Sequence, residues 1–366
     1  MTTHEHFMAR ALQLAERGLF TTDPNPRVGC VIVKDGDVVG EGWHQRTGEA
    51  HAEVNALADA GDQANGADCY VTLEPCSHFG RTPPCADALI RAGVNRVFIA
   101  MADPNPIVSG NGINRLKDAG IAVTVGLLEQ QAEGLNPGFC QRMRSGRPYV
   151  RSKIAMSLDG RTAMASGESQ WITGPDARQD VQKLRARSSA ILTGIGTVLK
   201  DDPALTVRPE GDWYPEDEAI SQPLRVVVDS QLQIPTQARV FNNDNKVLIA
   251  STLNAPLASI MDILTLPVHD NQVDLNALMA ALAEREINEV TVEAGAVLNG
   301  ALLRAGLIDE LVIYMAPKLM GDSAKGLFHL PDLNMMADNI DLKITDMRSV
   351  GRDWRITALP EYTKDI

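Results

Sequence analysis

One imidazole and two thiols stand close enough along this chain to hold a divalent metal. His51 opens the tripeptide His51-Ala52-Glu53, Cys76 follows Pro75 after a strand-like run, and Cys85 closes the segment PCSHFGRTPPC. Deprotonated, these side chains give Zn2+ three protein ligands and leave its fourth tetrahedral position open to water, the arrangement of a catalytic zinc and not of a closed structural one. The competing reading is packing, since a free Cys is commonly a small core hydrophobe, but the position and order of the three residues argue against it. Glu53 lies two residues beyond His51, where a carboxylate off the metal could carry protons. Spacing does not place it there, because residues i and i+2 point in well-separated directions on a regular helix. A first-turn carboxylate that only complements the helix dipole would look the same.

A second constellation lies further on. Gly194-Ile195-Gly196-Thr197 follows the strand-like run 190–193 and could cradle a phosphate through backbone N–H groups. It is no dinucleotide fingerprint: Leu199 stands where that motif needs Gly. A nicotinamide cofactor here must be held in another way. Arg185, in the helical LRAR segment, reads by itself as a solvated surface charge.

The elements that must position these groups are legible from periodicity. In the first part, helical patterns cover residues 4–18, a stretch after Glu53 through residue 60, 85–92 and 113–119, and strand patterns cover 28–34, 38–43, 69–73, 97–102 and 121–125. This alternation predicts a sheet covered by helices on both faces, with the metal-ligand residues at helix N-termini beside strand ends. A helical segment over 127–143, broken at Asn136-Pro137-Gly138, leads into RSGRPYV, which marks a domain boundary near Gly146. The domains expected are 1–146 and 147–366. The second begins with a strand at 149–155 and continues with helices near 175–187, 275–285 and 296–305 and strands at 190–193, 224–228, 246–250, 289–293 and 310–315. The acidic stretch 208–221 reads as a surface loop and the best candidate for disorder.

Composition narrows the function. A chain of 366 residues favours two domains. Five cysteines, at 30, 69, 76, 85 and 140, form an odd set, so metal ligation or core packing suits them better than a disulfide framework; Cys30 and Cys69 lie in apolar runs and read as core. No apolar run reaches the length of a membrane span or a secretory segment, so a cytoplasmic protein is expected. A net charge of −13 and a pI near 5.0 oppose binding to nucleic acid, while a small phosphorylated substrate can still be held by a few arginines.

The motifs together resemble a known family. PNPRVG at 24–29, GWH at 42–44, HAE at 51–53 and EPCSHFGRTPPC at 74–85 are similar to the pyrimidine deaminase half of the bifunctional RibD family of riboflavin biosynthesis. SLDGRTA at 157–163, SQWIT at 169–173, GIGTVLKDDPALTVR at 194–208 and VEAGAVLNGALL at 292–303 are similar to its reductase half. The motifs keep the family order over nearly the whole chain. One departure is that eight residues separate Cys76 from Cys85, where the short deaminase signature has two.

The resemblance implies a cytidine-deaminase-like three-layer αβα domain followed by a dihydrofolate-reductase-like α/β domain that holds NADPH across a mixed sheet. It implies one Zn2+ per chain on His51, Cys76 and Cys85, with Glu53 as proton shuttle, and substrate contacts from Asn25, His44 and Arg81, the last to a phosphate. In the second domain it implies cofactor contacts from Ala155, Trp171, Thr197, Asp201, Ser230, Gly295, Ala296, Val297, Leu298, Asn299, Gly300 and Ala301. Ser169, Arg185, Leu205, Arg208 and Glu293 would face the substrate, and Lys153 and Asp201 would assist ring opening or protonation at the sugar. His78 is left out of the ligand set, which is already complete. The expected reactions are deamination of 2,5-diamino-6-ribosylamino-4(3H)-pyrimidinone 5′-phosphate and NADPH-dependent reduction of its ribose to ribityl. The expected enzyme is a homo-oligomer with a phosphorylated pyrimidine substrate and no nucleic-acid or membrane partner. Two other readings compete: a single-activity zinc deaminase of free bases or nucleosides, and a non-catalytic zinc-stabilised binding protein.

Overall fold

Short apolar runs alternate with amphipathic stretches, and in this computed structural model they fold as two compact units, Met1–Gly146 and Arg147–Ile366. The structure describes residues 3–77, 83–106, 108–214, 219–242, 247–254 and 262–362.

The first unit runs α1 (Thr3–Glu16), β1 (Gly29–Lys34), β2 (Asp37–Trp43), α2 (Ala52–Ala60), β3 (Asp68–Leu73), α3 (Cys85–Ala92), β4 (Arg96–Met101), α4 (Asn111–Asp118), β5 (Ala122–Val125), α5 (Glu129–Leu135) and α6 (Pro137–Ser145). The sheet order is β2-β1-β3-β4-β5, with β1 antiparallel to both neighbours and the rest parallel. Alternate side chains of one strand feed opposite cores. Cys30, Ile32, Cys69 and Val71 pack with α2, α3 and α4, whereas Val31, Val33 and Tyr70 pack with α1. These are the three layers expected. Helix α2 lies directly on β2 because two glycines leave room: a Cβ at Gly40 or Gly42 would stand 2.4 Å from the backbone of Ala56. The helical stretch expected over 127–143 is two helices, since Pro137 starts α6 at its first turn, where the missing N–H costs nothing. Cys30 and Cys69 are fully buried with their sulfurs 3.5 Å apart, and all five cysteines are free thiols.

The second unit runs β6 (Tyr149–Ser157), α7 (Pro175–Ala186), β7 (Ala190–Gly194), α8 (Ile195–Asp201), β8 (Leu224–Val228), β9 (Val247–Ser251), β10 (Asp262–Thr265), β11 (Val268–His269), β12 (Gln272–Val273), α9 (Leu275–Glu284), β13 (Glu289–Val292), α10 (Ala296–Arg304), β14 (Glu310–Ala316), β15 (Asp341–Val350) and β16 (Asp353–Glu361). Nine strands form one mixed sheet in the order β10-β9-β8-β7-β13-β6-β14-β16-β15, parallel from β10 to β14 and antiparallel beyond. One face packs on α9 and α10 through Leu192, Val226, Leu248 and Val290, the other carries Ile191, Val227 and Ile249 against Val198 of α8. The periodicity reading did not include α8, β10 or the closing hairpin β15–β16. Strand β15 is exposed along nearly its whole length, so no buried alternation marks it. The described residues of the acidic stretch, 208–214 and 219–221, form neither helix nor strand, and the Tyr214 hydroxyl ties them together through Ala219 and Ser221. Among the described residues no helix is long and apolar enough to cross a membrane.

Candidate active sites

His51 is the N-cap of α2, with φ −74° and ψ 164°. Its side chain therefore leaves an extended backbone, and the helical angle between i and i+2 does not separate it from Glu53. Cys76 follows the end of β3, and Cys85 is the first residue of α3. These elements bring the donor atoms together: His51 Nδ1 lies 3.2 Å from Cys85 Sγ and 3.6 Å from Cys76 Sγ, and all three donors fall within 4.8 Å of one another. Ordinary Zn–S and Zn–N bonds in a tetrahedron set such edges at roughly 3.5–3.8 Å, so the donor set and its spacing fit a zinc ion.

The charges around these donors follow from the same contacts. A hydrogen bond from Cys85, with help from His51, holds the Cys76 thiol well below its ordinary value, and the Cys85 backbone N–H also points at its sulfur at 3.3 Å. Cys85, donating to Cys76 and buried, is pushed far up, and His51 is raised by its bond to Cys76. A metal would displace the protons that these donors still hold. Glu53 is buried beside them; burial first, then the Cys76 charge, pushes its carboxyl up to about 7.

His44 and Asn25 complete this wall. The His44 ring stands edge-on to His51 with centroids 5.5 Å apart. Its Nδ1 lies 3.1 Å from the Ala50 carbonyl and its Nε2 3.1 Å from the Asn25 amide nitrogen, a pattern met by one neutral tautomer with the proton on Nδ1. Burial lowers its pKa and favours that neutral form. Arg81 and His78 lie outside the described residues.

In the second unit Glu293 follows β13 directly and Lys153 lies midway along the neighbouring strand β6. Val292 pairs with Ser152, so Glu293 sits level with Lys153. Arg185, from α7, grips Glu293 with two hydrogen bonds of 2.6 and 2.9 Å and donates a third, 2.9 Å, to the Thr206 carbonyl. Burial pushes the Glu293 carboxyl up, but the charge and hydrogen bonds of Arg185, with Lys153 and Arg208 beyond, hold it at about 2. Burial lowers the Lys153 ammonium and Glu293 opposes the shift. The fork of Arg185 is thus committed to Glu293, while Arg208 is exposed.

Other expected contacts are distributed unevenly. Ala155 lies on β6, Ser169 and the exposed Trp171 precede α7, and Thr197 and Asp201 lie on α8. The Arg178 guanidinium lies 4.8 Å above the Trp171 ring. Asp201 makes no side-chain hydrogen bond or ion pair among the described residues, and none to Lys153. Leu205 has φ 50° and its side chain is in the core, so only its backbone can face a substrate. The Ser230 hydroxyl donates to Gln272 and accepts from the Val273 N–H. Of the run expected at the cofactor, Gly295 and Val297 are exposed and Ala296, Leu298 and Ala301 half-buried. Asn299 is bound inside to Ser152 and the Ala294 carbonyl, and a Cβ at Gly300 would stand 2.3 Å from the His329 carbonyl. Both of these residues are packed inside the unit. Two carboxylates had no role from sequence: Glu74, which accepts four backbone N–H groups, and Asp159, which fastens the SLDG turn to Met320 and Gly321. The only sequence signal for either was its place inside a motif.

Known proteins fall in line with both halves. Residues 1–101 match the cytidine and deoxycytidylate deaminase zinc-binding region, and residues 148–356 match the RibD C-terminal domain. Riboflavin biosynthesis protein RibD of Escherichia coli is 56% identical over 95% of this chain and 97% of its own length, and that of Haemophilus influenzae is 52% identical over 97% of each. Among solved structures, Acinetobacter baumannii RibD superposes with a TM-score of 0.92 at 46% identity, covering 98% of this chain and 99% of its own. A diaminohydroxyphosphoribosylaminopyrimidine deaminase/5-amino-6-(5-phosphoribosylamino)uracil reductase from Thermotoga maritima gives 0.86 at 33%, with the same coverage. With a zinc-deaminase donor set in one unit, a reductase fold in the other and such relatives along its whole length, this chain belongs to the RibD family of bifunctional deaminase–reductases of riboflavin biosynthesis.

Proposed function

We propose that the chain deaminates 2,5-diamino-6-ribosylamino-4(3H)-pyrimidinone 5′-phosphate in its first unit and reduces the ribose of the product to ribityl in its second. The observation that carries the reading is the convergence of His51 Nδ1, Cys76 Sγ and Cys85 Sγ beside the buried Glu53. These three donors would hold one zinc ion per chain, which when bound supplies the Lewis acidity that activates water at neutral pH. Glu53, whose carboxyl burial pushes up, takes the proton of the attacking water and passes it to the amine leaving C2. Asn25 and His44 would orient the pyrimidine and ribose, and Arg81 would hold the phosphate.

In the second unit NADPH would supply hydride to C1′. Lys153, made more acidic by burial, and Asp201 are the candidates for assisting ring opening or protonation at the sugar. Glu293 receives the sugar on a carboxylate fixed by Arg185, and Arg208 meets the phosphate. The cofactor would run past Ala155, Trp171 and Thr197 to the first turn of α10. The acidic chain and its free thiols suit a cytoplasmic enzyme that avoids nucleic acid. A homo-oligomer is supported by β15, an edge strand whose Leu342, Ile344 and Met347 are 45%, 60% and 52% exposed.

The test supplies the diaminopyrimidine phosphate with and without NADPH. The deaminated ribosylamino compound alone is expected without cofactor, and the ribitylamino compound with it. Deamination that is never followed by reduction would leave only the single-activity reading, and no turnover by the zinc-loaded chain would remove both.

A further inference from the structure

Glu74 follows β3 directly, two residues before Cys76, and its side chain is buried without an ion pair among the described residues. A carboxylate offers about four acceptor sites, and here all are filled by backbone. Oε1 accepts from Gly112 N at 2.9 Å and Ile113 N at 3.1 Å, and Oε2 from Gly110 N at 3.0 Å and Asp103 N at 3.1 Å. The cap residue of α4 is Gly110, which has no side chain to serve the first turn. Glu74 supplies that cap from the turn that follows β3. The same contact has a second fastening, since α4 approaches so closely that a Cβ on Gly112 would stand 2.0 Å from the Pro75 carbonyl oxygen. On its other side Cys76 is tied to α3, its carbonyl accepting from Ala86 N at 3.2 Å and its sulfur from Cys85 N at 3.3 Å.

We propose that Glu74 is a positioning residue for the metal centre: by bolting the start of α4 to the Glu74-Pro75-Cys76 turn, it fixes where the Cys76 sulfur stands relative to His51 and Cys85. The proposal rests on the reading of these three residues as zinc ligands. Metal sites lose about 10- to 100-fold in affinity when a group that orients a ligand is removed. Glu74 orients its ligand through the backbone, and the amides of Asp103 and Gly110 are held by the same carboxylate.

The experiment measures zinc dissociation constants by chelator competition on the full-length chain. Glu74→Gln keeps the shape but turns an amide NH2 toward N–H donors, and should weaken zinc about 10- to 100-fold. Leu116→Ala, which opens the core beneath the same helix, serves as the control for lost stability and should bind zinc within about threefold of wild type, well below that range. Reduction should be unchanged in both. Glu74→Asp, with the charge kept and the reach shortened, should fall between Glu74→Gln and wild type. Equal zinc affinity in Glu74→Gln and wild type overturns the proposal, as does equal weakening in Leu116→Ala. If neither Glu74 variant folds, the carboxylate serves folding and the positioning role is withdrawn. If wild type itself binds no zinc, the reading of the metal centre fails first.

Discussion

The Arg185–Glu293 pair is nearly dry, with side chains 11% and 13% exposed, and each partner depends on the other. Arg185→Met leaves a buried carboxylate without its cation and should cost about 3–5 kcal/mol, measured by urea unfolding of the second unit. Glu293 gives this pair a pH signature. Its folded carboxyl is held at about 2, below the roughly 4.3 of an unfolded Glu, so its stabilisation is complete above that unfolded value and fades as pH falls towards 2. Glu293→Gln should flatten this part of the acid-unfolding curve. In the first unit, Cys85→Ser should lose both zinc and deamination while reduction of the deaminated intermediate survives; full zinc content in that variant removes Cys85 from the ligand set. Glu53→Gln should keep the metal and lower deamination by about 10²–10⁴-fold, and normal turnover would take Glu53 out of the mechanism. Arg208→Ala should raise the KM of the reductase for phosphorylated substrate by about tenfold to a hundredfold, the worth of one charge-assisted hydrogen bond. A dephosphorylated substrate turned over as well as the ester would cancel that assignment.

At the scale of elements, α10 shows how packing sets a binding surface. Gly300→Ala must push the helix off the backbone of His329. It should destabilise the second unit by about 1–3 kcal/mol and raise the NADPH dissociation constant, because the first turn of α10 moves with the rest; zinc content should not change. An unaltered cofactor titration would separate α10 from the cofactor. Apart from α8, the helices and the inner strands were legible because their apolar residues recur with the period of the element, and the ligand trio because it sits in two short motifs. Long-range features were hidden for physical reasons. The approach of Glu53 to His51 depends on an extended N-cap that periodicity does not reveal. The Arg185–Glu293 grip joins residues 108 positions apart, and Glu74 binds amides 29 to 39 positions away. Strand β15 carries its apolar residues outward, so no core pattern announced it. Ile344→Lys on that edge should shift the chain to a smaller species in sedimentation, and an unchanged assembly would place the subunit contact elsewhere.

For the whole molecule, the two units own separate hydrophobic cores and separate candidate sites. Chelation of zinc should therefore abolish deamination and leave reduction of the deaminated intermediate intact, and a fragment beginning at Arg147 should bind NADPH and reduce without zinc. A folded fragment that needs zinc for reduction would break the two-site account. The break between the units falls where Gly146, at φ 67°, ends α6 and Arg147 begins the next unit by clasping Asp309 with two hydrogen bonds. A single peptide bond thus joins two catalysts that could each fold alone. Its consequence is one of dosage: every completed chain carries one deaminase and one reductase, so the two successive activities are made in a one-to-one ratio whatever the level of expression.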